Sequence, residues 1–371
     1  MVVGAGGMGA AAAAHLATRG LRVRVFERFG LGHDRGSSHG LTRIIRLAYF
    51  EHPSYVPLLR RAYELWRRLE QESGERLLHV TGGLDVGAAG SRVFEGARHS
   101  CEAHDLPHEI LEASELARRV PAWRPEPGTM AVFQPDGGFL APERCVRAHA
   151  AAAVRAGARI HEHEPVTAWR RSGPGIVVDT ARGAYACGQL VLAAGPWIGA
   201  LLPELASLMA PERQVLGWFA VRDAALFAPE RFPVFVYDAP EGLLYGFPEF
   251  DVPGFKIGRY HHRHEPAAPD AVARTCDATD EAILSAPVRR YFPGAGGPLL
   301  RATVCLFTNT PDGHFIVDRH PDVPEVLVVS PCSGHGFKFS SVIGELVADL
   351  VCQGSTVHDI SPFRLARFAP G

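Results

Sequence analysis

The stretch Gly4-Ala5-Gly6-Gly7-Met8-Gly9 decides the fold, because it stands between an apolar strand stub and an alanine-rich segment. Glycines at this spacing permit a tight turn, close approach of a ligand's pyrophosphate, and close packing of a helix on a strand. The pattern predicts a strand at Val2-Val3, a helix from Ala10 to Arg19, and Gly20 as the helix C-cap. The stretch therefore indicates a Rossmann-type dinucleotide site.

The segment that follows supports the same interpretation. Leu21 to Phe26 alternates apolar and charged residues as a strand does, and it ends at Glu27. An acid near this position, roughly 20 residues past the glycines, is typical of the carboxylate that binds the ribose of NAD or FAD. Only Met1 to Val3 precede Gly4, so we expect either a misassigned start codon or a truncated first strand.

A second glycine turn lies near the other end of the chain, at Ser333-Gly334-His335-Gly336-Phe337-Lys338-Phe339-Ser340. It opens an apolar segment that predicts a closing helix from Gly336 to Gln353, with Lys338 in the first turn. The N-terminus of a helix leaves N–H groups unpaired and favours anions. Two such helix starts, one at each end of the chain, predict a single long anionic ligand that contacts both.

Size, charge and cysteine usage narrow the class of protein. The chain has 371 residues, which favours two domains over one core. A net charge of −2 gives no electrostatic reason to expect nucleic acid or membrane as a partner. No apolar run approaches a membrane span, and no signal-peptide pattern is found, so we expect a cytoplasmic protein. Seven scattered cysteines without a CxxC pair favour free thiols.

The order of the predicted elements indicates the architecture. Helix–strand units at both ends flank a middle in which aromatic and β-branched residues from Val215 to Tyr260 indicate an antiparallel sheet. We therefore expect an α/β plus β fold, a discontinuous Rossmann-like domain with an inserted antiparallel-sheet domain. The predicted boundaries are residues 1–80, 142–214 and 298–371 for the cofactor-binding domain, and 81–141 and 215–297 for the substrate domain.

Several residues have ordinary explanations when each is considered alone. Cys305 lies in a predicted strand, where a cysteine is usually a small buried apolar residue. Lys256 also lies in a predicted strand and would by default be exposed to solvent. Arg43 and Arg46 fit ordinary surface charges. A functional role for any of these four residues needs further support.

Two motifs of other classes are present but incomplete. The run Tyr260-His261-His262-Arg263-His264-Glu265 contains metal-binding side chains, but no companion ligand follows at a recognisable spacing. Gly36-Ser37-Ser38-His39-Gly40 matches the GxSxG string of hydrolases, yet a polar loop replaces the strand that a nucleophile elbow requires. We therefore expect neither a metal site nor a serine hydrolase.

Blocks distributed over essentially the whole chain resemble the monomeric sarcosine oxidase / N-methyltryptophan oxidase family. These are flavin-dependent amine oxidases of the D-amino-acid-oxidase-like superfamily. The blocks are Gly4–Gly9, Ser38–Arg46, Tyr245–Pro248, Cys305, Thr310–Ile316 and Ser333–Ser341. The resemblance implies an FAD-binding domain of the glutathione-reductase type with an inserted substrate domain.

The resemblance also implies catalytic roles. The implied catalytic residues are Lys256, Arg46, Lys338, Tyr245 and His261. Lys256 looks like the lysine that promotes reaction with O₂, and Arg46 and Lys338 look like the pair that holds the substrate carboxylate. Tyr245 and His261 resemble groups that line the substrate cavity. Tyr260 competes with His261 for this role, because this chain carries an extra residue between Lys256 and His261.

The same comparison of motifs implies a set of cofactor contacts. The implied FAD-binding residues are Gly4, Gly6, Gly9, Glu27, His39, Thr42, Arg43, Gly195, Cys305, Gly334, His335, Gly336 and Lys338. Cys305 looks like the cysteine that bonds covalently to the flavin 8α-methyl group. The N-terminal turn is expected to hold the pyrophosphate, and the C-terminal turn the pyrimidine edge of the flavin.

The implied activity is oxidation of a secondary amino acid, N-methyl or cyclic, to its imine while O₂ is reduced to H₂O₂. The expected partners are the amino acid and O₂, and the family favours a monomer. One alternative is an FAD-dependent dehydrogenase that passes electrons to a partner, which Lys256 argues against. Another is a non-catalytic dinucleotide-binding protein, which the co-occurrence of Cys305, Lys256, Arg46 and Lys338 disfavours.

Overall fold

The computed structural model describes residues 1–368. Strands and helices alternate at both ends of the chain, and strands predominate in the middle. The strands are β1 (Val2–Val3), β2 (Arg24–Phe26), β3 (Arg43–Ile45), β4 (Leu78–Val80), β5 (Gly83–Ala88), β6 (Glu109–Glu112), β7 (Thr129–Gln134), β8 (Gly138–Leu140), β9 (Arg159–His161), β10 (Val166–Ser172), β11 (Gly175–Thr180), β12 (Gly183–Cys187), β13 (Leu190–Leu192), β14 (Ala210–Phe219), β15 (Val234–Ala239), β16 (Gly242–Phe247), β17 (Phe255–Arg259), β18 (Leu299–Asn309), β19 (Ile316–Arg319) and β20 (Val326–Ser330). The α-helices are α1 (Gly7–Thr18), α2 (Val56–Ser73), α3 (Arg92–Ala103), α4 (Ala113–Arg119), α5 (Pro142–Arg155), α6 (Ile198–Leu201), α7 (Ala278–Tyr291) and α8 (Ser340–Cys352).

The N-terminal glycine turn joins β1 to α1, as the sequence predicts. The helix begins at Gly7, earlier than the predicted Ala10, because Gly7 to Gly9 form its first turn. A Cβ added to Gly9 would lie 1.8 Å from the Gly4 carbonyl oxygen, and one added to Gly4 would lie 2.4 Å from the Ala193 oxygen. Only glycine therefore lets α1 start this close to the strands.

β1 lies in the middle of a six-stranded sheet with the strand order β19-β20-β13-β1-β2-β9. It pairs in parallel with β2 and with β13, and β19 is the antiparallel edge strand. Helix α1 packs between α5 and α8, where its alanine side chains allow close approach. A Cβ on Gly344 of α8 would lie 2.6 Å from the Ala11 backbone. The sheet thus brings both ends of the chain together.

A second, eight-stranded sheet has the order β18-β14-β17-β16-β15-β5-β7-β6. Its strands from the middle of the chain pair antiparallel, as the aromatic and β-branched pattern predicts, whereas β15 and β5 pair in parallel. Long pairing of β14 with β18 brings residues 210–219 and 299–309 together. The predicted α/β plus β fold class is confirmed. The domain boundaries stay a prediction, and β18 falls in a segment that the sequence assigns to the cofactor-binding domain.

Two small sheets and one long helix complete the frame of the site. The three-stranded sheet β3-β8-β4 places Arg43 at the start of β3, and β10-β11-β12 forms a separate antiparallel sheet. Helix α2 buries one apolar face and ends at Gly74, which has a φ of 72°. Among residues 1–368, no helix is both long enough and apolar enough to span a lipid bilayer.

Candidate active site

Two adjoining cavities occupy the space between the two large sheets and the C-terminal turn. The first cavity extends from Gly4–Met8 past Glu27 to the turn at Gly334–Phe337. The second is enclosed by side chains of β16 and β18 and by the same turn. Arg43, Phe307, Gly334 and Phe337 line both cavities, so the two spaces meet at these residues. A long ligand that enters at the N-terminal glycine turn would therefore reach the second cavity.

The first cavity has the groups that a dinucleotide requires at its phosphate end. Gly6, the N-cap of α1, provides no side-chain cap, and the first turn of this helix faces the cavity. The buried Glu27 carboxylate accepts hydrogen bonds from Ala5 N–H at 2.7 Å and Phe29 N–H at 2.8 Å. Gly195 also borders the cavity, with a φ of +54° and open space where a Cβ would lie. A glycine-rich helix start, where Ser38 Oγ accepts from the Gly7 N–H at 3.1 Å, and a fixed acid at the strand tip fit FAD.

The C-terminal turn is folded tightly against the second sheet. Ser333 and Gly334 both have a positive φ, of 47° and 77°. A Cβ on Gly334 would lie 2.4 Å from the Tyr260 ring, and one on Gly336 would lie 1.6 Å from the Pro331 oxygen. Lys338 lies in a 3₁₀ turn, Phe337–Phe339, and the α-helix begins only at Ser340. The predicted closing helix is present, but its first turn has the tighter 3₁₀ geometry.

His335 in this turn is held as a neutral imidazole of defined tautomer. Its Nε2 lies 2.9 Å from the Gly313 carbonyl oxygen, which only accepts, so Nε2 carries the hydrogen. The Tyr49 hydroxyl therefore donates to Nδ1, at 2.5 Å. Burial lowers the pKa of His335 to about 4, and the nearby Lys338 ammonium acts in the same direction. A neutral His335 adds no charge to the turn.

Arg46 and Lys338, which we call the cation pair, line the second cavity together. Arg46 has only 4% of its surface exposed and donates from Nη1 to the Ala48 oxygen at 2.6 Å. Lys338 Nζ donates to the His335 carbonyl oxygen at 2.7 Å. The sequence predicts both cations as ligands for one carboxylate, and the structure brings them to one wall.

Two carboxylates that the sequence did not predict accompany the cation pair. Glu51 accepts from Arg46 Nη2 at 2.9 Å, and Asp85 lies 3.5 Å from Arg46 Nε. Burial lowers the pKa of Lys338 to about 7, and the charge of Arg46 adds to this effect. Burial also raises the pKa of Asp85 to about 7, against the opposing effect of Arg46. One member of the cation pair, Lys338, and the neighbouring Asp85 therefore both have a pKa near neutral pH.

Lys256 on β17 is 2% exposed and does not border either cavity in the described structure. Its Nζ donates to the Gly40 oxygen at 2.6 Å, the Thr42 oxygen at 2.9 Å and the Thr42 hydroxyl at 2.7 Å. It also lies 4.2 Å from the centre of the Phe247 ring. Burial lowers the pKa of Lys256 well below its ordinary value, and Arg43 contributes to the decrease. A lysine in a strand is by default exposed to solvent, whereas Lys256 is buried and bound by neutral oxygens.

Cys305 on β18 is buried and lines the second cavity at the junction with the first. Arg43 Nη2 donates to its sulfur at 3.2 Å and to the Ser37 oxygen at 3.0 Å. His39 lies in the same loop as Arg43, and burial lowers its pKa to about 3, so it is neutral. Arg43 is thus the cation that faces the thiol.

The aromatic and imidazole groups predicted for the substrate cavity all contribute to its wall. Tyr245, Tyr260 and His261 line the second cavity. The Tyr260 hydroxyl donates to the Ser333 carbonyl oxygen, and His261 Nδ1 lies 2.8 Å from Glu212 Oε2. Both candidates for the uncertain histidine position therefore face the cavity.

Of the two carboxylates that the sequence did not predict, Asp85 has a stronger sequence signal than Glu51. Asp85 is the one charged residue in the strand Gly83–Ala88, and a charge in a buried strand indicates a specific partner. Glu51 lies in a loop with no distinctive spacing, so its pairing with Arg46 follows only from the folded chain.

The chain is similar in sequence and in structure to several known proteins, over nearly its whole length. The family model described as FAD dependent oxidoreductase matches residues 1–350. The monomeric sarcosine oxidase of Streptomyces avermitilis is 41% identical, over 100% of this chain and 97% of that protein. The N-methyl-L-tryptophan oxidase of Yersinia pestis is 35% identical, over 99% and 98%. The structure of NikD, an unusual amino acid oxidase essential for nikkomycin biosynthesis, aligns with a TM-score of 0.84 at 27% identity, over 98% and 96%.

Proposed function

This chain belongs to the FAD dependent oxidoreductase family, alongside monomeric sarcosine oxidases and N-methyl-L-tryptophan oxidases, and we propose that it oxidises a secondary amino acid to its imine. The substrate, N-methyl or cyclic, loses two electrons and two protons, and O₂ takes up both to give H₂O₂. The cofactor is FAD, as the family description states. The observation that carries the proposal is that both members of the cation pair line the second cavity, which meets the first at four shared residues.

The cation pair defines the class of substrate. Arg46 has a planar guanidinium that binds a carboxylate through two hydrogen bonds, and Lys338 adds a second charge nearby. Glu51 already pairs with Arg46, whereas the Lys338 amine binds the neutral His335 carbonyl oxygen, so a further anion would compensate the charge of Lys338. A substrate carboxylate held there would fix the rest of the amino acid in the second cavity. Tyr245, Tyr260 and His261 would then contact its amine and side chain.

The first cavity is the proposed position of the cofactor. The turn with Gly4, Gly6 and Gly9 would hold the pyrophosphate, and Glu27 the ribose. The turn Gly334–Gly336 would contact the pyrimidine edge of the isoalloxazine, with Arg43 beside it. His39 and Thr42, which the resemblance also implies as flavin contacts, are buried behind the cavity lining. When bound, FAD supplies the redox chemistry by accepting a hydride equivalent from the substrate carbon. The protein positions the substrate and stabilises the charges that develop.

Cys305 is the proposed covalent anchor for FAD. Its thiol lines the second cavity near the junction, and the Arg43 guanidinium donates to its sulfur at 3.2 Å. Formation of a thioether to the 8α-methyl group would break the S–H bond and one methyl C–H bond. The two protons and two electrons released would pass to O₂ and give H₂O₂. The bond would fix the edge of the isoalloxazine that lies opposite the C-terminal turn.

Lys256 is the proposed group that promotes the reaction with O₂. Reduction of O₂ begins with formation of superoxide, and a fixed ammonium stabilises that anion. Burial lowers the pKa of Lys256, but the neutral oxygens of Gly40 and Thr42 fix its nitrogen and accept from the ammonium form without adding a negative charge. This role favours an oxidase over a dehydrogenase that passes its electrons to a protein partner. The predicted domain boundaries, monomeric state and cytoplasmic location stay proposals.

A screen for H₂O₂ release tests the proposed function. The purified yellow protein is mixed in air with a panel of N-methyl and cyclic amino acids, and H₂O₂ is followed by a coupled peroxidase assay. We expect release with at least one secondary amino acid and none with the matching amine that lacks the carboxylate. Flavin bleaching without H₂O₂ would indicate a dehydrogenase instead. Absence of bleaching across the panel would refute an amine-oxidising function.

A further inference from the structure

Glu212, His261 and His264, which we call the rim triad, lie together at the edge of the second cavity. One ligand atom from each residue lies within 4.8 Å of the others. The local sequence around the two histidines did not predict this group, because Glu212 is 49 residues before His261 and comes from β14. The fold therefore supplies the companion ligand that the histidine-rich run lacks.

The carboxylate of the rim triad is held in position by its surroundings. Glu212 is 8% exposed, and its Oε1 accepts from Gln214 Nε2 at 2.8 Å. Its Oε2 accepts from Asn309 Nδ2 on β18 at 2.6 Å and lies 2.8 Å from His261 Nδ1. Hydrogen bonds of this kind orient a ligand before an ion arrives. Glu212 therefore has little freedom to lose on binding.

The two histidines are placed side by side by the backbone of one turn. His261 and His264 both have a left-handed φ, of 54° and 50°, and the His264 N–H donates to the His261 oxygen at 3.2 Å. Their rings stack with centres 5.4 Å apart and an angle of 13° between planes. His264 is exposed to solvent, so an ion has direct access.

We propose that the rim triad binds a divalent transition metal ion, for which Zn²⁺ is the probe. Two imidazole nitrogens and one carboxylate oxygen are a donor set that Zn²⁺ uses in sites with an open fourth position, here filled by water. Mg²⁺ and Ca²⁺ prefer sites built from oxygen atoms alone. Ligand atoms within 4.8 Å must approach to about 3.3 Å, the separation of tetrahedral ligands about 2.0 Å from zinc, and the exposed His264 side chain has the freedom to move. The ion displaces any proton that His261 shares with Glu212.

Binding has a consequence for the second cavity. His261 and its neighbour Tyr260 line that cavity, and both belong to the turn that the ion would immobilise. An ion at the rim triad would fix this wall and slow passage of substrate. This consequence rests on the proposed oxidase function, whereas the binding of the ion does not.

Isothermal titration of the chelator-treated flavoprotein with ZnCl₂ tests the site directly. His264→Asn removes one ligand and keeps a residue that tolerates a left-handed φ. His163→Asn is the matched control, because His163 is also exposed with a φ of 55° but lies on another element. We expect one Zn²⁺ site, binding that is weaker by at least about tenfold in His264→Asn, and no change in His163→Asn. MgCl₂ should give no binding heat.

Two results would overturn the site. One is equal Zn²⁺ affinity in His264→Asn and the parent protein. The other is loss of the binding heat in Cys352→Ser, since Cys352 is an exposed thiol and thiolates are zinc ligands. In a separate measurement, Zn²⁺ should slow H₂O₂ release by the parent enzyme and not by His264→Asn. Binding without slower release would refute the effect on substrate entry.

Discussion

Glu51 accepts two hydrogen bonds from the same nitrogen of Arg46, with Nη2 to Oε1 at 3.1 Å and Nη2 to Oε2 at 2.9 Å. Both side chains are largely buried, at 4% and 11% exposure. A carboxylate already lies against the cation that is proposed to bind the carboxylate of the substrate. The substrate must therefore share Arg46 with Glu51 or displace it.

Glu51→Gln should strengthen the binding of carboxylate ligands. The substitution keeps the shape of the side chain and removes the charge that competes for Arg46. We expect the inhibition constant of acetate and the KM of the amino acid to fall by about tenfold, which corresponds to about 1.4 kcal/mol. Steady-state H₂O₂ release with and without acetate measures both constants.

Glu64→Gln is the control for this substitution, because Glu64 is a solvent-exposed acid that pairs with Arg61 on α2. It should leave both constants unchanged. Weaker acetate binding in Glu51→Gln would contradict the expectation and show that Glu51 orients Arg46 for the substrate.

Binding of carboxylate ligands should weaken as the pH rises through about 7. The pKa of Lys338 is lowered to about 7 and that of Asp85 is raised to about 7, so both groups lose a proton in this range. Each loss makes the site more negative by one charge. Arg46 stays cationic, since Asp85 and Glu51 raise its pKa despite burial, and His335 is already neutral above its pKa of about 4. The expected slope of log Kd against pH is positive, and acetate titrations of the flavin spectrum measure it.

Asp85→Asn separates the two contributions to this slope. The variant keeps the size of the side chain and retains only the titration of Lys338. Its slope should be smaller than that of the parent protein, by up to one unit of log Kd per pH unit. Affinity that increases with pH would refute the proposed charge of the site.

Lys256→Met should slow the reaction with O₂ and spare the reaction with the amino acid. Removal of one preorganised donor at a developing anion typically costs about a hundredfold to a thousandfold in rate. Stopped-flow mixing of the reduced protein with O₂ measures the oxidative step, and anaerobic mixing with substrate serves as the internal control. Equal rates of reoxidation in variant and parent would show that Lys256 only supports the Gly40–Thr42 loop. Thermal unfolding of both proteins reports the structural cost of losing its three hydrogen bonds.

Local patterns in the sequence were sufficient to predict the elements that border the first cavity. The glycine turn before α1, the acid at the end of β2 and the turn before α8 depend on glycine conformation and on apolar periodicity, which act over a few residues. The aromatic and β-branched segment likewise predicted antiparallel pairing. Recognition of the family came from several such blocks together, and the comparisons confirmed it.

Contacts between distant strands explain what the sequence did not predict. Lys256 binds oxygens of Gly40 and Thr42, more than two hundred residues earlier in the chain, because β17 lies behind that loop. Glu212 reaches His261 only through the position of β14 in the large sheet. Such pairs depend on strand order and register, and neither is encoded in residue spacing along one segment.

Cys305→Ser should release FAD from the polypeptide after acid precipitation. The hydroxyl of serine is a far weaker nucleophile than a thiolate, so no covalent bond should form, while the noncovalent contacts of the first cavity still bind the cofactor. Cys332→Ser is the matched control, because Cys332 is a second thiol that lines the first cavity, whereas the Arg43 guanidinium donates to Cys305. Yellow precipitate from the parent and from Cys332→Ser, with colourless precipitate from Cys305→Ser, is the expected outcome. Flavin that washes out of all three proteins would show that FAD is bound without a covalent link, and flavin retained by Cys305→Ser would place the bond at another residue.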